Sequence, residues 1–438
     1  MNLSVIGLGK LGAPLAAVFA SKGHQVVGVD VLPAFVEAIN AGRPPVNEPQ
    51  LAELIAANRA RLSATLDFSE AIGKSDVTFM IVPTPTDSTG GFSLRFILSA
   101  IESIGPALRA KGKYHVVVIT STVMPGATQN EILPALEKAS GLKCGVDFGL
   151  CYNPEFIALG SVVRDMLNPD FILIGESDPK AGAILEQIYA TSLDNKPPIS
   201  RMNFVNAELS KLSVNTFVTT KISYANMLAA MCEKLPGADV DVVTSAIGQD
   251  TRIGKKYLKG ALGYGGPCFP RDNVAFSTLA RSVGAPALIA EATDNLNRQQ
   301  APRLAERVRA ALPAKGTVAI LGLSYKPNTE VIEESAGVAL AKELLAGGAD
   351  VVLYDPAALN NTRKALESAG RYADSAGGAL RQADVVVLCT AWEEFARLAP
   401  TDLKPGATPT IIDCWRVLPQ AKFGRAATFV TIGCGAKH

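Results

Sequence analysis

Histidine is scarce in this sequence. The three present are His24, which closes a helical stretch ahead of a strand, His115, which opens an apolar run, and His438, the last residue, and each reads as structural rather than as a base. None of the nine tyrosines is followed four residues later by lysine, which excludes a Tyr-x-x-x-Lys pair as the group that takes an alcohol proton. Seven cysteines, odd in number, are scattered from Cys144 to Cys434 and never spaced as Cys-x-x-Cys, so neither a disulfide framework nor a metal site is expected. A lone cysteine is by default a small buried hydrophobe. No window approaches the roughly 18 apolar residues of a membrane span, and MNLSVIGLGKLG lacks a basic segment followed by a long apolar one. A cytoplasmic protein without a membrane partner is predicted. The formal net charge of +1 gives no general attraction to nucleic acid, so an anionic ligand must be met by a local site.

What is present is an ample supply of core. A chain of 438 residues, 48% hydrophobic, is long enough for two or three domains. The first thirty residues read as strand (Leu3 to Ile6), turn (GLGKLG), helix (Ala13 to Ser21) and strand (QVVGVD). Further apolar runs at Asp76 to Val82, Val116 to Thr120, Phe148 to Tyr152 and Phe171 to Gly175 alternate with helical segments, which predicts a parallel, doubly wound sheet to about residue 195. From Asn206 to Leu235 no glycine or proline interrupts the chain, and a helix of about 30 residues, roughly 45 Å long, is expected. Strand signals return in TVAILGL, DVVLYDP, ADVVVLCTAW and TPTIIDCW. The fold class is thus α/β, with two Rossmann-like doubly wound domains joined by a long central helix. We divide the chain at 1–200, a nucleotide-binding domain, 201–312, a helical region, and 313–438, a second Rossmann-like domain.

Gly7, Gly9 and Gly12 lie in a G-x-G-x-x-G turn between a strand and a helix, and Asp30 ends the next strand. Such glycines let a pyrophosphate approach a helix N-terminus, and the carboxylate receives ribose hydroxyls, so the pattern predicts NAD rather than its 2′-phosphorylated form. Lys211 and Asn215, four apart on the long helix, share one face and are candidates for proton transfer and for holding a substrate oxygen. In GYGGPCFPRD, glycines that allow close backbone approach and prolines that stiffen the chain surround Cys268, four residues before Asp272. A thiol beside a hydride acceptor adds to an aldehyde, and a second oxidation then yields a thioester that water can hydrolyse. Asp272 is a candidate for activating that water.

At this point the chain resembles the UDP-glucose branch of the UDP-glucose/GDP-mannose dehydrogenase family, nearly from end to end. The likeness rests on GLGKLG, PTPT at 83–86, STVMPGAT at 121–128, NPEF at 153–156, AELSKLSVNTF at 207–217, RIGKKYLKGALGYGGPCFPRD at 252–272 and GLSYKPNT at 322–329. It implies NAD as cofactor and oxidation of a UDP-sugar alcohol to the acid. By the resemblance, Cys268 is the nucleophile, Lys211 and Asn215 act in acid-base and oxyanion roles, Thr122 and Asp272 handle water, and Glu155 serves thioester hydrolysis. Cofactor contacts are implied for Gly7, Gly9, Leu11, Gly12, Asp30, Thr84, Thr122 and Arg271. For the substrate, Lys211 and Asn215 are joined by Phe156, Gly265, Tyr257 and Lys259 at the diphosphate, and Tyr325 and Lys326 at the sugar. Arg252 is expected to reach a neighbouring subunit's site in a homodimer packed along the central helix.

Three positions depart from the family pattern: Glu333 replaces a usual arginine, Leu159 a frequent glutamate, and an expected Asp-x-Arg reads Asp413-Cys414-Trp415 with Arg416 one place later. Oxidation of GDP-mannose or a UDP-N-acetylhexosamine is the nearest alternative. A two-electron β-hydroxyacid dehydrogenase would share GLGxxG and Lys-x-x-x-Asn but needs neither the Cys268 loop nor the second domain. A nucleotide-sugar-binding protein without turnover is the third.

Overall fold

The structure is a computed structural model that describes residues 1–436, so His438 lies outside it. It divides into two compact units, Met1–Ser213 and the chain from Val214 onward.

The first unit is built on eight strands: β1 (Asn2–Ile6), β2 (Gln25–Val29), β3 (Leu62–Thr65), β4 (Val77–Met80), β5 (His115–Ile119), β6 (Phe148–Tyr152), β7 (Ile172–Glu176) and β8 (Ile199–Met202). Their order, β3-β2-β1-β4-β5-β6-β7-β8, places the topological switch between β1 and β4, beside the glycine turn. Strands such as HVVVI are buried along their whole length because helices cover both faces of the sheet. One departure from the expected parallel sheet occurs where β6 pairs antiparallel with β7 through Cys151↔Glu176 and Tyr152↔Gly175. An apolar run reads the same in either direction, so strand polarity is not written in it.

The second unit carries six parallel strands, β9 (Thr317–Leu321), β10 (Asp350–Tyr354), β11 (Arg371–Tyr372), β12 (Val385–Leu388), β13 (Thr410–Asp413) and β14 (Thr428–Thr431), in the order β11-β10-β9-β12-β13-β14. Helix α1 (Gly12–Ser21) follows the glycine turn, and the central helix α2 spans Phe204–Cys232, 29 residues. It begins two residues earlier than expected and stops three residues short of Leu235, ahead of Pro236, which cannot continue it. The boundary between the units falls inside α2. Helices α3 (Phe269–Ser282) and α4 (Ala336–Ala346) complete the elements that matter for the site.

Candidate active site

In the first unit Gly7 adopts φ 93°, a conformation an L side chain rarely takes, and a Cβ on Gly12 would lie 1.7 Å from the Gly7 carbonyl oxygen. Those two glycines are demanded by the protein's own packing. Gly9 differs: a Cβ there would meet nothing within 4 Å, so the turn is open above it. Leu11 caps α1, whose first turn carries no acid. Asp30 is half-buried, with Oδ2 accepting from the Leu8 N–H at 2.7 Å and Oδ1 from the Leu32 N–H at 2.9 Å. Each oxygen keeps a lone pair for a further donor. An open glycine turn, a helix N-terminus free of acid and an oriented carboxylate fit a dinucleotide.

Thr84 Oγ1 donates to the Thr122 carbonyl at 2.8 Å, tying the PTPT loop to the STVMPG loop at neighbouring strand ends. Lys211 is buried on α2; its Nζ donates to the Glu155 carbonyl at 2.6 Å and lies 4.6 Å from the Phe156 ring centroid. Burial pushes the Glu155 carboxyl up to about 7, against the opposing effect of the Lys211 charge. The structure thus brings Lys211, Glu155 and Phe156 together.

In the second unit Cys268 is exposed and is the N-cap of α3, where unsatisfied N–H groups and the helix dipole favour negative charge. One turn on, Asp272 is 1% exposed; its Oδ2 accepts from Asn215 Nδ2 at 2.6 Å and its Oδ1 from Arg271 at 3.1 Å. Asn215, Arg271, Asp272 and Cys268 therefore form one cluster at the start of α3. The adjoining glycines do something other than expected. A Cβ on Gly265 would lie 2.2 Å from the Glu334 carbonyl oxygen, and one on Gly266, at φ 84°, would lie 2.6 Å from the Tyr325 ring. On the side where a Cβ would stand, their smallness admits the chain's own backbone and an aromatic ring.

Tyr257 is exposed, with φ 63°, and meets the Phe269 ring edge-on, while Lys259 Nζ donates to the Trp415 carbonyl at 3.1 Å. Lys326 Nζ lies 5.8 Å from the Tyr325 ring centroid. The Arg252 side chain is 87% exposed and forks onto Asp250, 2.6 Å away. Of the departures, Glu333 is exposed while its carbonyl accepts from the Gly266 N–H, and Arg416 is bound to Asp239 (2.8 Å) and Asp241 (2.9 Å). Arg416 thus serves the packing of the second unit. His115, held by Thr78 and Lys111, is pushed down to about 3 by burial, and His24 bonds Ser192; both are structural.

Sequence reasoning missed the buried residues that brace these loops. Glu208 on α2 accepts from the Gly126 and Thr128 N–H groups (2.6 and 2.8 Å), Glu48 accepts from Gly160 and Val162 (2.9 and 2.8 Å), and Asn226 pins the Ala261–Leu262 segment through both its amide atoms. No short-range signal marked Glu208, which stands among Asn206, Ser210, Lys211 and Ser213 in a stretch that mixes polar and apolar residues throughout.

With this geometry in place, comparison with known proteins defines the class. Three patterns of the UDP-glucose/GDP-mannose dehydrogenase family match in order: its NAD binding domain over residues 1–193, its central domain over 205–299 and its UDP binding domain over 319–420. The chain belongs to that family, and is an NAD-dependent oxidoreductase. A UDP-glucose 6-dehydrogenase of Haloferax volcanii is 40% identical, the alignment covering 91% of this chain and 93% of that one. A GDP-mannose 6-dehydrogenase of Pseudomonas putida is 35% identical over 94% of this chain and 95% of its own. Among solved structures, a UDP-glucose dehydrogenase from Pyrobaculum islandicum superposes with a TM-score of 0.89 at 36% identity, covering 99% of this chain and 98% of that one.

Proposed function

We propose that this protein oxidises the primary alcohol of UDP-glucose to the carboxylate of UDP-glucuronate. The observation that carries the reading is the exposed Cys268 thiol at the N-terminus of α3, one turn from an Asp272 carboxylate gripped by Asn215 and Arg271. NAD, when bound, accepts two electrons and a proton as hydride, and two equivalents balance the conversion of alcohol and water to carboxylate.

The protein's residues supply the rest. Gly9, Leu11, Asp30, Thr84, Thr122 and Arg271 hold the cofactor. Lys211 takes the alcohol proton, and Cys268 Sγ forms a C–S bond to the aldehyde carbon, giving a thiohemiacetal whose oxygen Lys211 and Asn215 stabilise. The second oxidation leaves a thioester. Water, activated by Glu155 with Asp272 and Thr122 orienting it, breaks the C–S bond and returns the thiol. Phe156, Gly265, Tyr325 and Lys326 border the sugar, and Tyr257 and Lys259 the diphosphate. Residues 1–200 then serve NAD, 201–312 catalysis and dimer formation, and 313–438 the UDP moiety, in a cytoplasmic enzyme. Among the described residues no helix is long and apolar enough to cross a membrane.

A homodimer through α2 is part of this reading. Phe217, Tyr224 and Met231, at seven-residue spacing on one helical face, are 66%, 48% and 53% exposed, an apolar stripe suited to a second copy. Arg252 is then free to exchange Asp250 for the partner's diphosphate. Phe217→Asp should give monomers in sedimentation, and a mixture of Arg252→Ala and Cys268→Ala subunits should recover activity.

The deciding test measures NADH formed with UDP-glucose, UDP-N-acetylhexosamines and GDP-mannose. Two NADH per UDP-glucose is the expected result. Preference for GDP-mannose, in keeping with the Pseudomonas relative, would move the substrate and keep the chemistry; one NADH or none would overturn the four-electron mechanism.

A further inference from the structure

The second unit repeats the first unit's nucleotide turn and uses it differently. Gly322 follows β9 at φ 96°, as Gly7 follows β1 at φ 93°. The Gly322 N–H bonds the Tyr354 carbonyl at 2.9 Å, as the Gly7 N–H bonds that of Val29 at 2.8 Å. A Cβ on Gly337 would lie 2.1 Å from the Gly322 oxygen, the counterpart of Gly12 against Gly7. Asp355 directly follows β10 as Asp30 follows β2, and takes the equivalent two backbone donors: Leu323 N–H and Ala357 N–H, both 2.8 Å.

The difference lies in what else the carboxylate holds. Asp355 is 1% exposed and accepts four further hydrogen bonds, from Ser324 N–H (2.9 Å), Ser324 Oγ (3.0 Å), Trp392 Nε1 (3.1 Å) and Ala358 N–H (2.7 Å). A carboxylate offers about four lone-pair sites, so none is left for a ribose hydroxyl. Its bonds converge on Ser324, whose carbonyl is held by Thr390 Oγ1 at 2.7 Å and whose Oγ also receives Trp392 Nε1 at 3.1 Å. The next residue, Tyr325, closes a loop through its N–H to the Val331 carbonyl at 3.0 Å. Its ring lies against Gly266, whose N–H bonds the Glu333 carbonyl at 2.9 Å, two residues before Cys268.

We propose that Asp355 and Trp392 form a positioning pair for catalysis: by clamping Ser324 they fix the Tyr325 ring against Gly266 and so set the place of the Cys268 thiol and the sugar-facing turn. The carboxylate that serves a ribose in the first unit is turned inward in the second, closing that turn to a dinucleotide. The inference rests on Cys268 being the nucleophile.

Ser324→Ala removes one donor to Asp355, and Trp392→Phe removes another while keeping an aromatic ring. Each should lower kcat and raise the UDP-sugar KM, for about a tenfold loss in kcat/KM, with the NAD KM unchanged and a modest fall in Tm from the bond lost to a buried carboxylate. Because the two side chains share Asp355, the double variant should lose less than the product of the single losses. Ser324→Thr, which keeps the hydroxyl, should restore activity. A Tm loss with unchanged kinetics, or losses that fall equally on NAD and sugar, would make the cluster structural only and overturn the proposal. So would kcat/KM within twofold of the parent in both variants. Full turnover by Cys268→Ala would instead sink the nucleophile assignment beneath it.

Discussion

The Asn215 amide donates to Asp272 Oδ2 at 2.6 Å while Arg271 holds Oδ1, so a carboxylate only 1% exposed is engaged on both oxygens. Residues fifty-seven apart in sequence thereby hold the first turn of α3 on α2. Asp272→Ala should leave a buried amide without its acceptor and cost about 1–3 kcal/mol in urea unfolding. Asp272→Asn, which preserves shape, should recover part of that stability but not turnover. Full activity in Asp272→Asn would show that the carboxylate's charge has no catalytic part.

Cys268→Ser should slow turnover by on the order of a thousandfold or more while NAD and UDP-sugar still bind, because an alkoxide forms far less readily than a thiolate. An acyl ester on the serine, which leaves poorly on hydrolysis, should be visible as added mass on the intact protein. Cys268→Ala should show none. Native rates in the alanine variant would return Cys268 to a packing residue.

Glu155 provides a pH prediction with a definite sign. Burial raises its pKa from 4.5 to about 7, so between those values the folded state holds a proton that the unfolded chain releases. Its contribution is therefore fully present below about 4.5 and is lost as pH rises through 7. Glu155→Gln should match the parent's Tm near pH 4.5 and exceed it increasingly toward pH 8. If deprotonated Glu155 activates water, the parent's rate should also rise through about pH 7, a limb that the glutamine variant lacks. Parallel Tm curves would show that the carboxyl is not proton-bearing in the fold.

Asp30→Ala should raise the NAD KM by roughly ten- to a hundredfold, since a hydrogen bond to a charged acceptor contributes about 1.5–3 kcal/mol. Part of that loss reaches the glycine turn itself, because the carboxylate also holds the Leu8 N–H. The UDP-sugar KM should stay unchanged. Unaltered NAD affinity would remove Asp30 from the cofactor site.

By itself the sequence determined what depends on short-range pattern: the βαβ entry with its glycine turn and terminal acid, the uninterrupted central helix, the return of strand signals after Thr317, and a thiol set among glycine and proline. These are local because apolar periodicity and the conformational limits of glycine and proline act within a few residues. Short strands such as Leu62–Thr65, Ile199–Met202 and Thr428–Thr431 carried too little pattern to be read, and the antiparallel setting of β7 leaves no mark in an apolar run. Only the tertiary structure decided which partners the buried acids receive. Glu48, Glu208 and Asp355 gain their meaning from backbone N–H groups brought from other segments, since buried polar oxygens are tolerated only where such donors converge. The same holds for the glycines beside Cys268: the sequence announces space, and folding decided that Glu334 and Tyr325 fill it.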